Sequence, residues 1–282
     1  MRQRLLSAAI LVPVAVALFV IGDPWLWLAI AVLAALAAYE TARLVRAAGS
    51  LADAWVAVVL APLVVILLPS LVGPGSVEIG PLLVAPAAAL LVVLPAIPAL
   101  RHRDPATGFG AWTGTLLATA YPSLLAFAAA LLFLSRTALE RPLPFGIDPG
   151  RSWLLVLVLT VWALDSAAYV VGRAYGRGTF FSHISPKKTW SGAIGGTLAG
   201  VAVAALLTGL LFADPLLGAG FGVVVTVSAQ AGDLAESMLK RAAGVKDSGT
   251  LIPGHGGLLD RLDSFLFAAP VAWLYLVVAS IV

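Results

Sequence analysis

The chain contains no cysteine, and only 11% of its residues are charged. Without cysteine it can form neither disulfide bonds nor a thiol nucleophile. Hydrophobic residues make up 61% of the sequence, and the mean hydropathy is +1.03. Soluble domains do not have this composition, so the sequence predicts an integral membrane protein.

The apolar runs show no alternation of apolar and polar residues, which excludes a membrane β-barrel. A helix that crosses a bilayer needs about 20 mostly apolar residues. Nine segments approach this length, so we predict an all-α, polytopic membrane protein with about nine transmembrane helices. The segments are 5–21, 25–45, 54–72, 82–100, 112–134, 152–171, 192–213, 216–238 and 262–282.

Basic residues cluster on alternate sides of these segments. The turns between the clusters hold Asp23, Glu78 and Asp214 and no lysine or arginine, although loop 135–151 carries charges of both signs. The positive-inside rule therefore predicts a cytosolic N-terminus and an external C-terminus. The clustered basic residues are Arg2, Arg4, Arg43, Arg46, Arg101, Arg103, Arg173, Arg177, Lys187, Lys188, Lys240, Arg241, Lys246 and Arg261.

No internal repeat or low-complexity segment divides the chain, and its clearest break is the loop 135–151. We therefore predict an N-terminal membrane-helical region (1–134), this extramembrane loop, and a C-terminal region (152–282). The C-terminal region is predicted to be catalytic, because it contains two polar loops, 172–191 and 239–261, between its apolar segments. By the charge rule both loops are cytosolic, where nucleotides are found.

The stretch from Ser237 to Asp263, which we call the polar run, holds most of the candidate catalytic residues of the sequence. It interleaves basic residues with carboxylates and a GHGG turn. Basic side chains bind phosphate oxygens, carboxylates bind a hard metal ion, and glycines allow close backbone approach. This combination is typical of a site for a polyphosphate and a metal ion.

The eighth segment ends with a polar helix face. Asp233, Glu236, Ser237 and Lys240 lie at i, i+3, i+4 and i+7, so they share one side of a helix. An ionised group within a membrane costs at least ~2.5–3.5 kcal/mol, so such residues usually line a cavity or meet a partner. The alternative is a helix that emerges into water with Asp233 paired to Lys240.

The last segment opens with LLDRLD, in which Asp260 and Asp263 are one helical turn apart. Both could bind one cation, or one could bind a metal while the other holds Arg261. A competing interpretation is helix capping, because carboxylates in a first turn stabilise the helix dipole without any metal. Magnesium fits the first interpretation, since it takes few carboxylates together with substrate phosphate oxygens.

The other polar loop, GRAYGRGTFFSHISPKKTWSG, is rich in glycine and contains Lys187 and Lys188. Backbone amides and ammonium groups of this kind can cradle phosphates, although the spacing is not that of a P-loop. Asp165 begins a polar stripe with Tyr169 and Arg173 that leads to this loop; a substrate contact and an Asp–Arg clamp both remain open. His255, in the GHGG turn, could contact phosphate or order the turn.

The polar run resembles the signature of the phosphatidate cytidylyltransferase (CDP-diacylglycerol synthase) family. Upstream, QAGDLAES and ISPKKTWSG extend the resemblance over roughly the C-terminal half. One departure is Ser191, where the family usually has glutamate or glutamine. The residues in register are Ser237, Leu239, Lys240, Arg241, Lys246, Asp247, His255, Gly256, Gly257, Leu258, Asp260, Arg261, Leu262 and Asp263.

The resemblance implies cytidylyl transfer from CTP to phosphatidate, giving CDP-diacylglycerol and pyrophosphate at the cytosolic face of the inner membrane. It assigns Asp233 and Asp260 as the magnesium-binding pair, and we expect Asp263 as a weaker third ligand. Catalytic roles are expected for Asp233, Asp260, Lys240 and Arg241. Substrate-binding roles are expected for Lys187, Lys188, Lys246, Arg261, His255, Ser237 and Asp165.

Other readings stay open at this point. The acceptor could be an isoprenoid lipid phosphate, since the signature does not specify the lipid. In another class, a secondary transporter could use the intramembrane carboxylates as ion sites, although the repeated halves typical of transporters are not evident. Membrane lipid is an expected partner and nucleic acid is not. A homodimer and a second cation are left open.

Overall fold

In the computed structural model, the residues that are described (2–72, 80–134, 147–176, 178–254 and 256–279) form ten α-helices and no β-strand. The all-α prediction is therefore confirmed over these residues. The helices are α1 (Arg2–Ile21), α2 (Trp25–Ala47), α3 (Ala54–Val72), α4 (Gly80–Ala99), α5 (Pro105–Ser123), α6 (Leu125–Leu131), α7 (Pro149–Tyr175), α8 (Trp190–Phe212), α9 (Pro215–Ala242) and α10 (Leu259–Val278).

Each predicted apolar segment overlaps one of these helices, with the fifth segment divided between α5 and α6. Within the described part of the chain, six helical stretches are long and apolar enough to cross a bilayer. Shorter apolar helical stretches occur at Val12–Ile21, Ala54–Pro69 and Ala88–Ala99. The protein is thus a multi-pass membrane protein, and the count of nine spans stays a prediction.

Side-chain caps explain where several helices begin. The Asp104 carboxylate accepts a hydrogen bond from the Thr107 amide (2.8 Å) at the start of α5, seven residues before the predicted apolar segment. Asp148 caps α7 in the same way through the Arg151 amide. Thr189 caps α8 through the Gly192 amide at 3.1 Å. These short polar side chains satisfy amides that have no partner inside the helix.

Contacts divide the chain into two compact units, and each combines distant parts of the sequence. Unit 1 contains residues 1–130 and 239–262, so most of the polar run belongs with the N-terminal helices. Its interior includes a close-packed cluster of small side chains from α2, α3 and α5. The cluster consists of Ala38, Ala42, Ala54, Ala57, Ala61 and Ala118.

Unit 2 contains residues 131–238 and 263–282. Its helices α7 and α8 approach so closely that glycine is required where they pack together. A Cβ atom on Gly192 would lie 2.8 Å from the Ala168 carbonyl oxygen, and one on Gly196 would lie 2.7 Å from that of Leu164. Close backbone packing of this kind is the usual way in which helices associate in lipid.

Candidate active site

Asp260 lies in the first turn of α10, and its carboxylate is held on both oxygens. Oδ1 accepts a hydrogen bond from Lys240 Nζ at 2.6 Å. Oδ2 accepts bonds from the backbone amides of Ser248 (2.9 Å) and Gly257 (2.8 Å). The side chains of Lys240 and Asp260 are only 11% and 10% exposed, so this is a nearly buried ion pair. The contacts of this carboxylate are thus with a lysine and with backbone amides that lie outside α10.

The glycines of the GHGG turn make room for this carboxylate. Gly256 has a φ of +86°, and a Cβ atom there would lie 2.8 Å from Asp260 Oδ2. An L-residue would therefore be strained in its backbone and would also contact the carboxylate. The close approach at Gly256 is to the protein's own Asp260, and the predicted approach of a phosphate to these glycines stays a prediction.

Asp233 lies on α9 in unit 2, where its carboxylate pairs with Lys188. Lys188 Nζ and Asp233 Oδ2 are 2.7 Å apart, with side-chain exposures of 20% and 37%. Because Lys240 pairs with Asp260, the partner of Asp233 is not the Lys240 of the emerging-helix alternative. The pair joins the two predicted polar segments of this unit, the 178–189 loop and α9.

The loop that carries Lys188 has a defined backbone structure. Thr179 and Thr189 form an isolated antiparallel bridge, and the Trp190 amide donates to the Gly178 carbonyl at 2.8 Å. The Phe180 amide also bonds to the Lys188 carbonyl at 3.2 Å. These bonds close the loop at its base, so the position of Lys188 is set by the start of α8.

The remaining basic residues of the prediction point to solvent. The exposed group consists of Lys187, Arg241, Lys246 and Arg261. Arg241 also bonds through Nη1 to the Val245 carbonyl at 3.2 Å. Two polar residues of α9 are buried instead: Glu236 is fully buried, and Ser237 is 8% exposed. Exposed cations are accessible to an anionic ligand, whereas the Ser237 side chain is nearly buried.

Three further predicted residues are placed differently. Asp263 belongs to unit 2, and its Oδ1 accepts a bond from the Ser264 amide at 2.7 Å. Asp165 is exposed on α7, where Arg173 bonds to the Tyr169 hydroxyl at 3.0 Å. His255 lies outside the described residues.

The sequence analysis missed Glu40, which lies in α2 and is 2% exposed. Its Oε2 accepts a hydrogen bond from the Leu259 amide at 2.8 Å and another from the Ser248 hydroxyl at 2.9 Å. The available signal was a lone carboxylate inside an otherwise apolar segment, which is unusual in a membrane helix. No sequence spacing could have named partners more than 200 residues away.

Whether these residues suit a magnesium ion depends on the chemistry of their oxygen donors. Among the described residues, no group of three or more His, Asp or Glu side chains forms a ready metal cage. Magnesium does not need one, because it is usually bound by one or two carboxylates together with water and substrate phosphates. Asp233 and Asp260 each offer hard oxygen donors, and each carboxylate is paired with its own lysine. The residues therefore fit magnesium.

A sequence profile of the cytidylyltransferase family matches residues 2–279, which is nearly the whole chain. The chain belongs to the cytidylyltransferase family. This confirms the resemblance found in the polar run and extends it over the N-terminal helices. The matched range includes residues of both unit 1 and unit 2.

Relatives within the cytidylyltransferase family carry a more specific name. The phosphatidate cytidylyltransferase of Brucella suis biovar 1 is 46% identical over 154 residues, which cover 52% of this chain and 56% of the relative. That of Synechocystis sp. is 48% identical over 134 residues, 44% of either chain. That of Mycobacterium tuberculosis is 40% identical over 130 residues, 46% of this chain and 40% of the relative. The chain spans about half the length of the curated relatives it matches.

Proposed function

We propose that this protein transfers the cytidylyl group of CTP to phosphatidate, forming CDP-diacylglycerol and pyrophosphate. The observation that carries the proposal is the family match over residues 2–279, together with relatives named phosphatidate cytidylyltransferase. The two lysine–carboxylate pairs support it, because their ammonium and carboxylate groups belong to the segments that resemble the family's motifs.

In the proposed reaction, a phosphate oxygen of phosphatidate attacks the α-phosphorus of CTP. The new bond joins this oxygen to the α-phosphorus, and the bond to the β-phosphate oxygen breaks to release pyrophosphate. A phosphate monoester is largely ionised at neutral pH, so the reaction needs no strong general base. Catalysis then depends on orienting the two anionic reactants and compensating their charge.

Charged residues of the segments that resemble the family's motifs would supply these functions. Asp233 and Asp260 would hold magnesium, which contributes charge neutralisation at the phosphates when bound. Lys188 and Lys240 would contact phosphate oxygens, because each has an ammonium group beside one of these carboxylates. The exposed Arg241, Lys246 and Arg261 would add cations for the second reactant.

We also propose the orientation that the basic residues indicate, with both polar loops on the cytosolic side of the inner membrane and nine spans in total. Residues on either side of α8 test this directly, because the chain has no cysteine of its own. Ser182 is exposed in the 178–189 loop, and Leu216 is 83% exposed just after the opposite end of α8. Ser182→Cys should react with an impermeant thiol reagent only from the cytosol and Leu216→Cys only from outside. The reverse pattern would invert the proposed topology.

The function is tested with purified protein in detergent micelles. Pyrophosphate release should require CTP, phosphatidate and a divalent cation together, because the reactants are both anions. An isoprenoid lipid phosphate offered instead of phosphatidate should give a much lower kcat/KM; a higher one would change the proposed acceptor. If micelles release no pyrophosphate while proteoliposomes accumulate an anionic solute down an ion gradient, the protein is a transporter and the proposal is wrong.

A further inference from the structure

Glu40 is a buried acidic residue in α2, an apolar helix long enough to cross a membrane. Burying an ionisable or polar group without hydrogen bonds is costly, so its retention calls for compensating contacts. Glu40 is seven residues from the end of α2, or roughly 10 Å along the helix axis. The residues that compensate it come from the polar run.

Ser248 connects Glu40 to the Asp260 carboxylate. The Ser248 hydroxyl donates to Glu40 Oε2 at 2.9 Å, while the Ser248 amide donates to Asp260 Oδ2 at 2.9 Å. The hydroxyl oxygen in turn lies 3.3 Å from the Asp260 amide, from which it accepts a weaker bond. The hydroxyl also lies 3.1 Å from Asp260 Oδ2; since it has one proton, its shorter contact, to Glu40, is the one we take as donated. One serine therefore holds both carboxylates at once.

A second connection runs through the backbone at the start of α10. The Leu259 amide donates to Glu40 Oε2 at 2.8 Å. This amide belongs to the first turn of a helix, where it has no partner within the helix itself. Glu40 thus acts as a distant cap for α10, the helix whose second residue is Asp260.

The glycines around Glu40 are required by its position. A Cβ atom on Gly257 would lie 2.5 Å from Glu40 Oε2 and 2.7 Å from the Gly249 amide nitrogen. A Cβ atom on Gly249 would overlap Glu40 Oε1. The polar run therefore encloses this carboxylate on both sides, and the fit depends on residues of the run having no side chain at these two positions.

We propose that Glu40 is a positioning residue that fixes the segment 248–260 and thereby orients the Asp260 carboxylate. Glu40 contacts Ser248 and Leu259, and two of the bonds to Asp260 come from Ser248 and Gly257 of the same segment. Loss of Glu40 removes the shared acceptor and leaves the segment without its attachment to α2. The effect on turnover rests on the proposed function, whereas the effect on the segment does not.

Two conservative variants of Glu40 distinguish the effect of its side-chain length from the effect of its charge. In Glu40→Gln the amide oxygen can occupy the place of Oε2 and accept both bonds without a charge. In Glu40→Asp the charge remains, but a carboxylate one methylene shorter cannot reach Leu259 and Ser248. We expect Glu40→Gln to keep kcat within about threefold of wild type and Glu40→Asp and Glu40→Ala to lose at least about tenfold. Thr41→Ala is the matched control, because Thr41 is also fully buried on α2 and its hydroxyl donates to the Ala37 carbonyl of its own helix.

Amide hydrogen exchange gives a readout that does not require activity. Peptides that cover residues 248–259 should exchange at least about tenfold faster in Glu40→Asp and Glu40→Ala than in wild type. Glu40→Gln and Thr41→Ala should exchange as wild type does. If Glu40→Ala does not fold in detergent, Ser248→Ala removes one of the two bonds and should still accelerate exchange in the same peptides.

The outcomes are distinguishable. Wild-type exchange in both Glu40→Asp and Ser248→Ala would overturn the inference, as would a Glu40→Gln protein with a wild-type segment and no turnover, which would make the charge itself essential. If wild-type protein itself shows no pyrophosphate release, the proposed function fails, and the exchange data still decide the role of Glu40.

Discussion

Asp260 and Asp233 each pair with a lysine, yet their surroundings differ. Asp260 is 10% exposed and receives two backbone amides in addition to Lys240. Asp233 is 37% exposed, and its contact is the side chain of Lys188. The backbone thus fixes the direction of the Asp260 carboxylate, whereas Asp233 is held by one flexible side chain.

This difference distinguishes two residues to which the family resemblance gives the same role, magnesium binding. A nearly buried ion pair is costly to break, at about 3–5 kcal/mol, because the remaining charge has no compensation. The Lys188–Asp233 pair is more exposed, at 20% and 37%, so solvent screens it more and it should contribute less. Asp260 should therefore matter for both the fold and the chemistry, and Asp233 for the chemistry alone.

The largest expected effect is on turnover after neutralisation of either carboxylate. Asp233→Asn and Asp260→Asn each keep the shape of the side chain and remove the charge that would bind a cation. Each should reduce the rate of pyrophosphate release by far more than about tenfold, a change of ~1.4 kcal/mol in activation free energy. Retention of more than a tenth of the wild-type rate would mean that the residue is not a primary ligand. Asp263→Asn should be milder.

Thermal unfolding in detergent should tell these two variants apart. Asp260→Asn loses an acceptor oxygen among donors from Lys240, Ser248 and Gly257, so its melting temperature should fall clearly. Asp233→Asn should melt close to wild type. Equal melting temperatures would contradict the difference drawn between the two sites.

The next effect concerns the space around Asp260 and Glu40. Gly257→Ala should lower both stability and activity, because the new methyl group would lie 2.5 Å from Glu40 Oε2. Gly110→Ala is the matched control, since a Cβ atom there has nothing within 4 Å and lies in helix α5. The control should be neutral or slightly more stable, because alanine favours a helix over glycine. Two variants with the same melting temperature would show that the turn adapts.

The partner lysines, Lys240 and Lys188, allow the stability of the two ion pairs to be compared directly. Lys240→Met keeps much of the side-chain volume and leaves Asp260 without its cation, so the unfolding free energy should fall by about 3–5 kcal/mol. Lys188→Met should lower it by less than Lys240→Met does, because its pair is more exposed. Chemical denaturation of both variants in the same detergent measures this. A larger loss in Lys188→Met would reverse the comparison.

The smallest effect is expected at Ser191, where the family usually has a charged or amide side chain. The Ser191 hydroxyl lies 3.3 Å from Thr189 Oγ1, a long contact. Ser191→Ala should therefore reduce the rate by less than about tenfold. A collapse of activity would show that this hydroxyl makes a contact with substrate.

Much of the fold could be predicted from the sequence, because hydrophobic length alone marks membrane helices. Every predicted segment overlaps a helix, but the start of α5 at Pro105 and the break at Leu124 were missed. The start of α5 had a readable signal in Asp104 and Thr107. The break at Leu124 lies close to Pro122. Hydropathy reports length, not the polar caps that set helix ends.

The site was predicted less completely. The residue types of the polar run and the close approach of its glycines could be read from the sequence. The pairs Lys188–Asp233 and Lys240–Asp260 could not, because helical spacing says which residues share a face and not which partner they meet. The partners of Glu40 could not be predicted for the same reason, since they are distant in sequence.

The most direct test follows two labels of CTP in the purified protein with phosphatidate and magnesium. With the α-phosphate labelled, the label should enter the lipid fraction; with the γ-phosphate labelled, it should appear only as pyrophosphate in the aqueous fraction. Asp233→Asn and Asp260→Asn should show neither transfer. Lipid labelled from the γ-phosphate would mean phosphoryl rather than cytidylyl transfer, and would contradict the proposed function.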